Sequence, residues 1–564
     1  MELSPLTPRQ AARWESGGKP HTLQKGRMWS AQALCILCAI FPPPTRYSSM
    51  LRPLSKAEWT PARAAHLLNR AGFGGSPQEI DALAALGPEA AVASLVDYDR
   101  IDETVTPPDF ALEGPPEPFD RRAMRNAEEE ERKKMQRQRR VSNRVDLNHL
   151  RGWWFERMRS TRRPLQEKMT LFWHGHFATS VEKVKSTYAM YLQNETLRRH
   201  AAGSWEEIVS AVSHDPAMLI YLDGARSKKQ APNENYAREL MELFTLGEGH
   251  YTEGDIHEAA RAFTGWTIDR KNLRFRESPF MHDRGTKTFM GKTGDFDGAD
   301  IIRILLDHPE AAPFICRKLW AFFAYPDPEE EIVNGLVEVF LKSGMQFRPV
   351  LSTVFRSRAF YSNRAGRTQI KSPVQWLVST LKYLEAPLPD PGLCAYVTAR
   401  LGQTLFEPPN VKGWEGGTAW ITPATLLERY NLAAILVEGG ESTRDAVGDG
   451  GRDMRRMMMM EDPMAEEDNA KSRRERRRQM QARRKAIAEP VVDPDVVLPG
   501  ALRTDGETVR RHLQWRLFQS ELRPKDREAF ESFFATLPKP RTWKDADVRA
   551  VVHAMLSTPQ FQLT

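Results

Sequence analysis

Residues 145–158 read Val-Asp-Leu-Asn-His-Leu-Arg-Gly-Trp-Trp-Phe-Glu-Arg-Met, and this stretch decides the fold class. Leu147, Leu150, Trp154 and Met158 recur at steps of three and four, which puts them on one face of a helix. The same rhythm extends outward in both directions. Leu165, Met169, Phe172 and Trp173 mark the next helix. Upstream, Ser55, Glu58, Ala62, Ala65 and Leu68 lead into a helix that Asn69–Gly75 breaks, followed by short helices through Pro77–Leu86 and Pro88–Val96. Downstream, Asn233–Leu246 predicts an amphipathic helix capped by Asn233 and closed by Gly247. Gly254–Phe263 predicts another, with Asp255 capping its first turn. Helices continue from Ala299 to Leu384, at Ala424–Leu436 and through the last sixty residues. Only 268–296, with short alternating pieces and glycines, predicts strands. The expected architecture is mainly α: a multi-helix globular fold with a small β-hairpin region and charged helical insertions.

The chain has 564 residues, more than one ordinary core accommodates. Composition shifts divide it into 1–53, an N-terminal extension that is poorly ordered or precedes the true start; 54–120, an N-terminal helical segment; and 121–143, a charged helical arm. These are followed by 144–438, the main helical domain; 439–495, a charged low-complexity insertion; and 496–564, C-terminal helices packing on the main domain. In the arm, glutamates precede arginines and lysines at helical spacing, which supports an exposed helix that is either a solvated arm or a docking element.

The formal charge is +7, from 81 basic and 74 acidic residues, a small excess for this length. It permits an anionic partner without requiring one. The run Arg473–Lys485 lacks interleaved aromatic platforms, so nucleic-acid binding is disfavoured. The four cysteines are no disulfide framework. Cys35 and Cys38 form a C-x-x-C pair inside the apolar run 31–41, a poor setting for redox chemistry. That run is too short to span a bilayer and lacks a clear cleavage site. No other stretch reads as a transmembrane segment. The balance tips toward a cytoplasmic location, with export or the periplasm as the alternative.

Four clusters carry potential chemistry. In Phe172-Trp173-His174-Gly175-His176-Phe177, a helix end at Gly175 would let His174 and His176 converge on one metal; the plainer reading is two packed, hydrogen-bonded imidazoles. In Pro232–Glu242, Glu234, Arg238 and Glu242 share a helix face beside the line of Asn235 and Glu239. Two carboxylates around an arginine suit a polar substrate, a buried structural ion-pair network, or an exposed face. The third cluster holds Tyr251, Glu253, Asp255, His257, Glu258, Arg261 and Trp266, whose carboxylates and histidine suit a divalent ion. Farther on, Asp295–Asp300 fits a capping turn better than a calcium loop. The fourth cluster is the Pro-, Gly- and Trp-rich stretch Phe406–Gly417 with Trp420, either a pocket wall or carbohydrate-stacking platform, or an internal loop plugging a helical bundle.

Several of these stretches together resemble the bacterial family of unknown function DUF1800: His66–Gly74, Lys168–His176, Ser213–Leu222, Asn233–Gly247, Ala260–Trp266 and Pro408–Trp414, in that order. The resemblance covers the chain from about Leu54 onward, interrupted by the charged inserts. It marks His174, His176, Asn233, Glu234, Arg238 and Glu239 as motif positions and implies no reaction. It does imply a partner: genes of this family often neighbour those of the sulfatase-like, frequently exported DUF1501 family.

Two functional expectations follow. The first is a metal-assisted hydrolase of a polar or anionic substrate. His174, His176, Glu239 and Asp255 would hold a divalent metal (Zn, Mn, Fe or Ca), Glu234 or Glu258 would accept a proton, and Arg238 would hold an anionic group. The second is a non-enzymatic scaffold or assembly factor for a partner enzyme, including a DUF1501-type protein. Convergence separates them: the enzyme needs the histidines, Glu239 and the Asp255 region to line one solvent-connected cavity, whereas a scaffold can leave them apart or sealed.

Overall fold

Prolines and side-chain caps set where many of the helices begin. Thr60, Ser76, Ser372, Asp390 and Thr422 each stand before a proline and accept a backbone N–H from the first turn of the helix that follows. The missing proline N–H costs nothing there, because first-turn donors have no partner within the helix. In the computed structural model, residues 49–116, 128–439, 490–536 and 543–564 are described. Cys35 and Cys38, most of the 1–53 extension, the start of the 121–143 arm and nearly all of the 439–495 insertion, with Arg473–Lys485, lie outside those residues.

The main helices are α1 (Pro61–Ala71), α2 (Pro77–Ala85), α3 (Pro88–Val96), α4 (Glu129–Ser160), α5 (Pro164–His176), α6 (Thr187–Arg199), α7 (Trp205–Ser213), α8 (Glu234–Glu239) and α9 (Glu253–Ala262). Two antiparallel hairpins follow, β1 (Trp266–Asp269) with β2 (Arg274–Glu277), and β3 (Lys287–Phe289) with β4 (Lys292–Gly294). They fill the region where strands were expected. The remaining helices are α10 (Gly298–Leu306), α11 (Ala311–Phe323), α12 (Glu330–Lys342), α13 (Phe347–Arg356), α14 (Pro373–Tyr383), α15 (Pro391–Arg400), α16 (Pro423–Glu438), α17 (Gly506–Phe518), α18 (Pro524–Thr536) and α19 (Asp545–Leu556). The fold is mainly α, as the periodicity predicted. Among the described residues, no helix is long and apolar enough to cross a membrane.

Two buried apolar clusters organise these helices. The first draws on α1–α3, α7 and α9–α13. The second is built by α4, α14–α16 and α17–α19. Helix α5 serves both: Leu165, Met169, Phe172 and Trp173 enter the first, and Leu171 enters the second. With apolar partners on both sides, α5 is buried nearly all round, and its polar residues must find partners inside the protein.

Glu167 does so. It is fully buried, and its carboxylate accepts from Arg198 Nε (2.7 Å), Arg198 Nη2 (3.0 Å), Arg157 Nε (2.5 Å) and Trp154 Nε1 (2.9 Å). Burial alone would raise its pKa; the two guanidiniums outweigh that and hold the carboxyl below its ordinary range.

A second buried polar system has the opposite character. Lys168 donates to Gln375 Oε1, Tyr383 donates to Asn69 Oδ1, and Asn69 Nδ2 donates to Gln519 Oε1 at 3.0 Å. Arg70 donates to the carbonyls of Ala324 and Ala365, and Arg429 to Gln562 Oε1 and the Lys371 carbonyl. The Lys371 ammonium nitrogen lies over the Phe561 ring at 3.8 Å and the Tyr383 ring at 4.8 Å. Among the described residues, none of Arg70, Lys168, Arg367, Lys371 and Arg429 is ion-paired with a carboxylate. Burial lowers Lys168 to about 7, with Arg70 adding to the effect, and drives Lys371 well below the ordinary lysine value. Residues 560–564 close this seam. Gln562 O accepts from Lys371 N, Gln369 O accepts from Thr564 N (both 2.8 Å), and Gln560 O accepts from Arg367.

Candidate functional site at the π-helical turn

Helix α5 runs through His176 without breaking at Gly175, contrary to the expected helix end. Residues two apart on an unbroken helix point about 200° apart, so the two imidazoles face different surroundings. His174 sits among the rings of Trp154 (5.2 Å), Phe406 (5.1 Å) and Trp414 (5.6 Å), and its Nε2 accepts the Phe406 backbone N–H at 3.1 Å. His176 turns toward α11. Its Nε2 lies 3.0 Å from the Phe244 carbonyl and its Nδ1 lies 3.1 Å from Lys318 Nζ. A carbonyl only accepts, so Nε2 carries the proton and Nδ1 offers its lone pair to the amine. Burial keeps both rings neutral: His174 falls to about 3, with Arg151 adding to the effect, and His176 falls well below its ordinary value, with Lys318 adding to it.

The second motif supplies the backbone that His176 and Lys318 read. The helix expected over Asn233–Leu246 is regular only to Glu239; Leu240–Thr245 is a π-helical turn. Its wider winding shows in Thr245 Oγ1 bonding the Leu240 carbonyl (2.7 Å) and Leu246 N bonding the Met241 carbonyl (3.0 Å). The carbonyls of Leu243 and Phe244 take side-chain donors, Lys318 Nζ at 3.4 Å and His176 Nε2. Such turns occur mostly as single-turn bulges and often at functional positions. The fourth cluster lies against the same layer. Gly413, at φ +81°, packs on Gly175, and a Cβ there would press into the Gly175 carbonyl oxygen. Within the Phe406–Gly417 stretch, Phe406, Pro408 and Gly413 are buried and Trp414 lies against His174, while Pro409, Asn410, Lys412, Glu415 and Gly417 are exposed.

The outer face of this layer is polar and largely exposed. Arg238 makes a two-pronged pair with Glu253 at 2.8 Å for each bond, while Glu234 lies 3.9 Å away. Glu242 accepts from Tyr251 (3.0 Å) and lies 3.9 Å from Lys412, which also pairs with Glu248 at 3.3 Å. The stack of Glu234, Arg238 and Glu242 is therefore replaced by cross-element pairs, because a bidentate carboxylate outcompetes a monodentate one for the guanidinium. It is also not the buried network; that role falls to Glu167. His257 Nδ1 is 3.2 Å from Glu234. Glu239 is half-buried, and burial together with Glu242 raises its carboxyl, opposed by Lys412 and Arg238.

Asp255 and Glu258 are committed to structure. Asp255 accepts from Thr252 N (2.9 Å), Thr252 Oγ1 (2.7 Å) and Met290 N (2.7 Å). The N-cap of α9 is Thr252, with Asp255 completing a capping box from three residues on. Glu258 accepts from Arg261 (2.8 Å) and Thr288 N (3.0 Å), and Arg261 also holds Asp283 at 2.8 Å. These bonds pin the β3–β4 hairpin to α9. Asp297 and Asp300 cap α10, as the capping-turn reading expected.

The expected donor set does not fit a metal. The imidazole lone pairs of His174 and His176 are both spent on protein donors, on opposite sides of α5, and Asp255 already accepts three bonds. Among the described residues, no group of three or more His, Cys, Asp or Glu is placed to hold an ion. Two participants escaped the sequence reading. Lys318 sits in the ordinary amphipathic run of α11, and the π-turn leaves no compositional trace.

A family model described as "Protein of unknown function (DUF1800)" matches residues 66–563. No curated protein and no solved structure matches the chain.

Proposed function

We propose that this chain, which belongs to the DUF1800 family, is a non-enzymatic scaffold or assembly factor that docks a partner protein through the exposed apolar start of α16. One observation carries the reading. Leu426, Leu427 and Tyr430 are 39, 61 and 47% exposed, three large apolar side chains within five residues. Spacings of three and four put Tyr430 beside both leucines on the helix surface. The other large apolar side chains exposed among the described residues are scattered singly (Leu86, Leu112, Met135, Val145, Phe280, Val496). Scattered residues need no explanation, whereas a contiguous patch marks an interaction site. Arg429, between them, points inward to Gln562, and the Arg400–Glu428 pair supplies a charged neighbour. An apolar centre with a charged rim is the ordinary anatomy of a protein interface.

The partner suited to this reading is a DUF1501-type protein. The test is a titration of a DUF1501-type protein into the parent and into a Leu427→Asp/Tyr430→Asp variant. Burying one such side chain contributes about 1.5–3 kcal/mol, so binding should weaken at least ~10-fold with the melting temperature unchanged. Equal binding by the parent and the double variant would refute the docking face.

A hydrolase of a polar or anionic substrate is the second reading. It is favoured by Glu239, half-buried with its carboxyl raised by burial and by Glu242, and by Arg238. It needs no step through a His174–His176 metal. Glu239→Gln should then abolish any turnover found in a substrate screen while leaving the fold intact.

A further inference from the structure

Lys318 is the basic group in the motif layer whose surroundings differ most from those of a surface lysine. It projects from the middle of α11, partly exposed, into the notch between α5 and the π-turn. Its Nζ lies 3.1 Å from His176 Nδ1, 3.4 Å from the Leu243 carbonyl and 4.8 Å from the centre of the Phe314 ring. Among the described residues, no carboxylate lies within ion-pair distance of it. Neighbouring Arg317, by contrast, is paired with Glu330 at 2.7 Å. The Phe314 ring lies beside the amine, while Phe172, Phe177 and Phe244, the other rings around His176, are buried in the first apolar cluster.

We infer that Lys318 is a nucleophilic amine that captures small aldehydes or ketones with an apolar body as imines, with His176 as the positioning residue that accepts one amine hydrogen and fixes its lone pair. A neutral amine has two hydrogens and one lone pair. Here the hydrogens have acceptors in place, His176 Nδ1 and the Leu243 carbonyl, so the lone pair is aimed away from both. A lone pair held in a fixed direction and without a competing carboxylate is the arrangement an amine nucleophile requires. Burial supports the same conclusion by lowering the amine to about 8.

The step balances. The amine nitrogen attacks the carbonyl carbon, and the π electrons move to oxygen. Nitrogen loses one proton to solvent, and the carbinolamine oxygen takes one up from it. That oxygen, having taken up a second proton from solvent, departs as water. Loss of the remaining nitrogen proton leaves a neutral carbon–nitrogen double bond, so amine plus carbonyl gives imine plus water with no oxidant or reductant. The inference does not depend on the docking reading, because α16 takes no part in the capture.

The test uses the full chain, benzaldehyde and cyanoborohydride, which reduces any imine to a stable benzylamine, with labelled lysines located by peptide mass spectrometry. At pH 7.5 an amine titrating near 8 holds about 200-fold more of its neutral form than a lysine near 10.4. Its lower basicity takes back roughly tenfold, by analogy with thiols. Lys318 should therefore be labelled ~10-fold faster than the median lysine, at a rate that levels off above pH 8. Lys318→Arg should lose that label and keep its melting temperature. His176→Gln, if it folds, should slow Lys318 labelling without changing the surface lysines. Labelling of Lys318 at or below the median lysine rate, or a rate that keeps rising to pH 10, would overturn the inference. Equal labelling by benzaldehyde and glyoxylate would overturn the apolar substrate class.

Discussion

Replacing Glu167 by glutamine removes one charge from the centre of α5 and changes almost no volume. In the folded chain that carboxylate, itself fully shielded from water, answers two guanidiniums, Arg198 at 2.7 Å and Arg157 at 2.5 Å. Losing one partner of a buried pair costs about 3–5 kcal/mol, because the other charge stays buried. Arg198 keeps Glu195 at 2.5 Å and Arg157 is partly exposed, which places the expected cost near the lower end, about 3 kcal/mol. That is a large share of the 5–15 kcal/mol typical of a native fold. Urea unfolding followed by tryptophan fluorescence measures it directly, since Trp154 donates to Glu167. The pH dependence gives a second reading. A carboxyl held below its ordinary range stabilises the fold above its unfolded pKa of about 4.3 and loses that contribution as pH falls through its folded value. The gap between parent and variant should therefore be full at pH 7 and shrink below about pH 4. A cost under ~1 kcal/mol at pH 7, the level of a surface pair, would refute the view that Glu167 is the counter-charge.

Gly413→Ala should destabilise by at least ~1–2 kcal/mol, from positive φ plus the clash with the Gly175 carbonyl; a melting temperature within a degree of the parent's would contradict the packing of the two motifs. Lys168 near 7 and Lys318 near 8 in the fold bind fewer protons than in the unfolded chain, so stability should rise from about pH 7 to about pH 10, and urea midpoints that fall across this window would count against their burial. His66 and His174, both lowered to about 3 by burial first, act with the same sign at lower pH. Stability should fall as pH drops below about 6.5, and His174→Gln should flatten part of that slope. Elemental mass spectrometry of protein purified without chelator should find metal that does not change between the parent and a folded His174→Ala/His176→Ala variant, and stoichiometric metal lost only from the variant would restore the metal-assisted reading.

The helical class, most helix positions and the strand region were legible because amphipathic periodicity and proline-led caps are local signals. The capping turn at Asp297 and the Glu258–Arg261 pair were legible for the same reason, since three-residue spacings declare themselves. His174 and His176 were recognisable as important but their divergence was not: it depends on whether α5 breaks at Gly175, and the packing of Gly413 on an unbroken helix settles that from 238 residues away. The π-turn cannot be seen in composition, because Leu-Met-Glu-Leu-Phe-Thr suits a regular helix equally well. Lys318 and the cationic seam were invisible because burial of a lysine is decided by neighbours distant in sequence.

The closing of that seam by residues 560–564 has a consequence for synthesis. Lys371 takes its backbone partner from Gln562 and its ring partner from Phe561. At ~5–20 residues per second, a ribosome needs roughly 10–40 s to travel between those positions. For that interval Lys371 and Arg367, just before α14, lack the partners that Phe561, Gln562 and Gln560 supply. Arrival of residues 560–562 then supplies the carbonyls of Gln560 and Gln562 and the Phe561 ring, so the seam is completed only once they are made.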